Sequence, residues 1–182
     1  MNYAFLYEQE FALPEAREYA RLAAYSIIGF FVSFLLAGPQ LLVGSVVNAL
    51  LVTTALELRN WKLLPILILP SLGVLSRGLV FGPFTVYLAL MIPFIWVGNA
   101  LLALTVKKLY LADSRNYWAS LLAGASLKAA FLFACALALN YFGLVPAPIV
   151  AAMGLMQLVT ALLGGTISRF SAKTGIARAL PL

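Results

Sequence analysis

A few polar side chains interrupt the apolar runs of this 182-residue chain, and any chemistry it performs must use them: Gln40, Asn48, Arg77, Asn99, Lys128, Gln157 and Thr160. Lys128 lies near the middle of Tyr117–Tyr141, a stretch long enough to cross a bilayer as a helix. A cation at that depth costs a few kcal/mol or more unless it is paired, hydrated or turned toward a protein interior. No carboxylate lies in any other hydrophobic segment, so the sequence offers Lys128 no internal counter-ion. A lysine so placed predicts a binding role or a wet cavity. Asn48, Asn99 and Gln157 either join it or serve as interhelical hydrogen-bond glue worth about 1 kcal/mol each. Arg77 either contacts a ligand or extends to outer headgroups, Gln40 sits at an outer mouth, and Thr160 follows Gln157 by one turn. At about 1.5 Å per residue, Lys128 lies roughly 16 Å from one end of its span. Asn48 and Gln157 lie at a similar level, with Asn99 deeper and Arg77 further out. Tyr87, Phe94, Trp96 and Tyr141 are available to line or close a pocket.

The same inventory disfavours several functions. There is no histidine, which removes the commonest transition-metal ligand and the commonest general base. With no carboxylate in a span, a cation- or proton-coupled carrier lacks its usual group. Ser126 and Lys128 lie two apart, on different helix faces, and make a poor dyad. No phosphate-cradling loop is present. The expectation is a non-enzyme without metal or cofactor. If it moves a solute actively, the energy comes from another subunit.

The elements that must position these groups are membrane helices. Hydrophobic residues make up 64% of the chain and charged residues 10%, against about a quarter charged in a soluble domain. The expected fold is an all-α membrane protein, a single domain over residues 1–182 with six transmembrane helices in one bundle. The spans are Ala20–Ala37, Leu41–Leu56, Leu63–Val80, Phe84–Val106, Trp118–Asn140 and Pro148–Arg169. Residues 1–19 form an amphipathic lead-in without a secretory signal, and residues 170–182 a basic tail. Ten of the twelve basic residues then fall on one side, the exceptions being Arg77 and Lys128. The positive-inside rule puts that side, and both termini, in the cytoplasm. The tail reads as an anchor on anionic lipid rather than a nucleic-acid contact. The lone Cys135 is a packing residue. The second helix of each of three hairpins carries a carboxamide (Asn48, Asn99, Gln157), a faint internal echo. Ala12, Ala16, Ala20 and Ala24, continued by Gly29 and Ser33, form a small-residue stripe that either packs inside the bundle or docks another membrane subunit.

Six spans in so short a chain, the stripe on the first helix and the motifs GPQLLVGSVVNALL, IPFIWVGNALLAL and MQLVTALLGG, with a lysine in span 5, resemble the substrate-binding S components of energy-coupling factor (ECF) transporters, or another membrane protein of that architecture. The resemblance covers most of residues 20–170. It implies a vitamin or similar micronutrient held near the outer side of the cell membrane, with capping loops at Gly38–Gln40, Phe81–Phe84 and Asn140–Pro148. It also implies docking on a transmembrane coupling subunit through Ala16, Ala20 and Ala24, and two cytoplasmic ATPase subunits driving the cycle. The pocket would include Asn48, Lys128 and Gln157, with Arg77 as an outer contact. The chain lacks the histidines of the metal-uptake members and a clear biotin or riboflavin signature, so the ligand stays open. An unpaired lysine favours an anionic or carbonyl-bearing one. The alternative is a structural or accessory subunit of a membrane enzyme complex, in which Lys128 would be bonded to carbonyls and carboxamides with no cavity.

Overall fold

A computed structural model describes residues 3–36, 40–81 and 85–173. Seven helices account for most of them: α1 (Glu15–Leu35), α2 (Gln40–Glu57), α3 (Leu64–Phe81), α4 (Thr85–Val106), α5 (Tyr117–Tyr141), α6 (Ala147–Met153) and α7 (Leu155–Lys173). No strand occurs among the described residues. Among the described residues five stretches are long and apolar enough to cross a membrane: Glu15–Leu35, Gln40–Glu57, Val86–Ala112, Tyr117–Tyr141 and Ala147–Ala172. α3 has the length of α2 and one charge, Arg77. The chain is a multi-pass membrane protein, as helices are the open-chain way to satisfy backbone groups in lipid.

Three boundaries differ from the sequence reading. The fourth span, expected to end at Val106, continues through a wide helical turn, Lys107–Ala112. The expected sixth span is two helices, broken at Gly154, whose φ of −95° and ψ of −107° leave the helical region. The first helix starts at Glu15, so Ala12 lies outside it. The expected small-residue stripe therefore divides. Gly29 packs on Pro70 and Leu50, and Ser33 lies beside Gly73, all within the bundle, whereas Ala16 is exposed and Ala20 and Ala24 are half-buried.

α2 packs most closely on α7, α1 on α3, and α4 on α5. The first crossing is close because glycines line it. A Cβ on Gly164 would lie 2.6 Å from Ala49 N, Asn48 Cβ and Ser45 O, and one on Gly44 would lie 2.9 Å from Thr160 Cγ2. Small residues that admit a neighbouring backbone are the usual basis of helix association in lipid. This crossing sets the distance between Asn48 on α2 and Thr160 on α7.

The end of the bundle that carries α1's start and α2's finish holds a buried ionic network. Glu18 accepts from Lys62 Nζ at 2.5 Å, from Arg59 Nη2, Nε and N at 3.0, 3.1 and 3.0 Å, and from Gln9 Nε2 at 2.8 Å. Glu57 accepts from Arg21 at 2.5 Å and from the Tyr25 hydroxyl at 2.6 Å. Lys107, fully buried, donates to the carbonyls of Glu8, Ala55 and Leu58 at 2.5, 2.9 and 2.9 Å. Two of those carbonyls close α2, where a cation also meets the negative end of the helix dipole. The lead-in lies across this end: Glu10 N donates to Leu56 O at 2.8 Å, and Arg169 donates to Glu10 Oε1 at 2.6 Å. The charges that the sequence assigns to solvated loops are in part buried and paired here.

Two outcomes follow from this packing. Gly164→Ala should destabilise the protein by roughly 1–3 kcal/mol, seen as a lower thermal midpoint in detergent, while Leu163→Ala, on a lipid-exposed position, leaves it near wild type. Glu18→Ala should cost about 3–5 kcal/mol because Lys62 loses its carboxylate in a buried site. A midpoint within a degree of wild type for either substitution would contradict the packing described.

Candidate functional site

Away from the charged end, the helices line an open cavity of about 490 Å³, within the range of pockets that hold small molecules. Its lining includes six of the seven residues the sequence singles out: Gln40, Asn48, Arg77, Asn99, Lys128 and Gln157. The seventh, Thr160, stands one layer behind, accepting from Asn48 Nδ2 at 3.2 Å and donating to Met156 O at 2.8 Å.

Lys128 is the centre of the site. α5 begins at Asn116, whose side chain accepts from Trp118 N and Ala119 N at 2.9 and 3.3 Å and so caps the helix. Three turns on, Lys128 is 2% exposed. Its Nζ donates to Asn48 Oδ1 at 2.6 Å and to Asn99 Oδ1 at 2.8 Å. Both amides are held from behind. Asn48 Nδ2 donates to Gly44 O at 2.9 Å, and Asn99 Nδ2 to Leu67 O at 3.0 Å. Leu67 adjoins Ile66, whose carbonyl would pair with residue 70 but for Pro70. One lysine thus ties α2, α3, α4 and α5 at one level. Asn99 lies at the height of Lys128 rather than deeper as the sequence reading has it.

An ammonium has three N–H groups. Lys107 places all three on carbonyls. Lys128 places two on carboxamides and lines the cavity. Gln157 Nε2 has only the Met153 thioether, at 3.9 Å. Among the described residues no carboxylate lines the cavity, and its charged lining residues are Lys128 and Arg77. The arrangement can hold an acceptor, a carboxylate or a carbonyl, against Lys128. No group of three or more histidine, cysteine or carboxylate side chains able to hold a metal occurs among the described residues.

The far rim is tied by two polar contacts. Gln40 Nε2 donates to Ala152 O at 3.0 Å, joining α2 to α6, and Arg77 Nη1 donates to Leu36 O at 2.7 Å, joining α3 to the end of α1. Of the three expected capping loops, residues 38–39 and 82–84 lie outside the described residues. The third contains a turn at Gly143, with φ of +71°, held by Asn140 Nδ2 donating to Val145 O at 2.7 Å. The expected aromatic wall is not there. Trp96 instead donates to Ser71 Oγ at 2.7 Å behind the lining, and Tyr141 is 86% exposed. Tyr87 and Phe94 pack on the apolar cluster around Met91 and Leu132.

The sequence reading places Ser33 in the small-residue stripe and not in the site. It lines the cavity from α1, is buried, and its hydroxyl has no hydrogen-bond partner among the described residues. No motif marks it. The signal was positional, since Ser33 falls on the same helical face as Gly29 and Tyr25, both buried.

Because Lys128 and its carboxamides form one unit, their substitutions should not add. Asn99→Ala alone should cost roughly 1–3 kcal/mol by leaving an N–H of Lys128 unmatched. Asn99→Leu combined with Asn48→Leu and Lys128→Met should recover most of that stability, since an apolar replacement of a whole buried polar set is often neutral. Additive losses in thermal midpoint across the series would contradict the unit. Comparison of the chain with family models, with curated proteins and with solved structures finds no match.

Proposed function

We propose that this protein is the membrane-embedded substrate-binding subunit of an ECF-type importer, which captures a small anionic or carbonyl-bearing solute from the outer side of the cell membrane. The observation that carries this reading is the unequal treatment of two buried lysines. Lys107 is closed by three carbonyls, whereas Lys128 is held by two and lines a cavity free of carboxylates. A buried cation left short of one acceptor is stabilised by an acceptor that arrives with a ligand.

In this reading six spans cross the cytoplasmic membrane with both termini inside, so the ionic network faces the cytoplasm and the cavity faces out. The basic excess at the network end supports that orientation. Ala16, Ala20 and Ala24 supply the docking face for a transmembrane coupling subunit, and ATPase subunits drive the cycle. Their exposed or half-buried positions support it. The protein itself catalyses nothing. A second reading, an accessory subunit whose polar groups only knit the bundle, accounts for the carboxamides on Lys128. It does not account for a cavity beside them.

The test is native mass spectrometry of the protein purified in mild detergent, beside Lys128→Met. A small molecule released from the wild type and absent from the variant is expected. Its affinity should fall roughly 10- to 100-fold with the charge-assisted bond lost. A well-folded wild type with nothing bound, and no solute shifting its midpoint, would favour the accessory reading.

A further inference from the structure

The cavity has polar groups with spare donors at both ends and a mostly apolar middle. At the deep end is Lys128. At the rim are Arg77 and Ser33. Arg77 uses one N–H on Leu36 O, and its others carry no bond among the described residues. Ser33 precedes Leu36 by three residues, so the two share a helix face, and the Ser33 hydroxyl lies one turn inside the Arg77 contact. A buried hydroxyl without a partner is uncommon in a native protein and calls for an explanation. Between the two ends the lining is mostly apolar, with Val47, Val74 and Ile95, and the one hydroxyl there, Ser71, is already bonded to Ile68 O and Trp96 Nε1.

We infer that the ligand is an elongated dicarboxylate, one carboxylate on Lys128, the other on Arg77 and Ser33, with an unbranched apolar spacer between them. The inference rests on the substrate-capture reading above and specifies its ligand class. Charge supports two acids rather than one, because the lining holds two cations and no anion, and unbalanced charge in a membrane interior is costly. The limited donors at the deep end fit the two oxygens of a carboxylate better than the three of a phosphate. α3 provides the scale. Leu67 holds Asn99, and Gly73 packs on Ser33. Those six residues rise about 9 Å. An extended chain advances about 1.2 Å per bond, so roughly seven or eight bonds separate the two carboxyl carbons, and the fitting acid has about eight or nine carbons.

The experiment is titration calorimetry on the full chain in nanodiscs with α,ω-dicarboxylates from four to twelve carbons and the monocarboxylates of matching length. Tightest binding is expected near the eight-carbon diacid, at least tenfold tighter than octanoate. Arg77→Gln and Ser33→Ala should each erase much of that advantage. Lys128→Met should weaken both acids. Thermal midpoints of the unliganded variants identify any that fail to fold, and Ser33→Ala, the smaller change, then carries the test. Equal affinity for mono- and dicarboxylates, or no optimum with length, would overturn the two-ended ligand and leave the capture reading standing. If no acid binds while native mass spectrometry releases another solute, the inference alone falls. If no acid binds and no solute is released, both fall.

Discussion

A primary amine in the middle of an apolar bundle must be given acceptors, and the placing of Lys128 organises the cavity half of this protein. Two carboxamides from α2 and α4 meet it, each fixed by a bond from its own NH₂ to a carbonyl or hydroxyl behind. Around this node α2 packs closely on α7 and α4 on α5. Glycines make both approaches close: Gly44 and Gly164 at the first crossing, Gly98 and Gly124 at the second, where side chains of Leu132 and Leu102 fill the space a Cβ would need. The polar node and the small-residue contacts are two parts of one constraint.

The two ends of the bundle solve the same problem differently. At the charged end the buried cations meet acceptors: Glu18 gathers Lys62, Arg59 and Gln9, Glu57 gathers Arg21 and Tyr25, and Lys107 finds three carbonyls. Satisfied networks of this kind rigidify the structure around them. The lead-in segment seals that end through Gln9 and Glu10. At the other end Lys128, Gln157, Arg77 and Ser33 line the cavity with donor capacity to spare. A closed end and an open end suit a protein that takes its ligand from one side.

Much of this was legible in the residues. Lys128 stood out by depth, and the carboxamides of the three hairpins proved to share one cavity because each sits on the inward face of its helix. What escaped has physical reasons. Lys107 sits where a span meets a charged run, a position that normally reads as solvated; only the tertiary approach of α2's last carbonyls buries it. Asn99 was placed too deep because counting residues assumes straight helices with level ends, and both α3 and α4 contain a proline, Pro70 and Pro93. The break at Gly154 lies in an unbroken apolar run, so hydropathy passes over it, whereas the structure sets the ring of Phe133 against that glycine. Glu18 and Glu57 read as boundary charges because pairing across 41 and 36 residues leaves no local pattern.

The central claim is that Lys128 is completed by a ligand rather than by the protein. An experimental structure of the protein purified from its native membrane without added solutes, resolved well enough to show side chains, tests it most directly. The account predicts density for a small molecule in the cavity, with an acceptor oxygen at hydrogen-bond distance from Lys128 Nζ and the two asparagine contacts intact. A collapsed cavity, or Lys128 turned to a third protein carbonyl as Lys107 is, would contradict it.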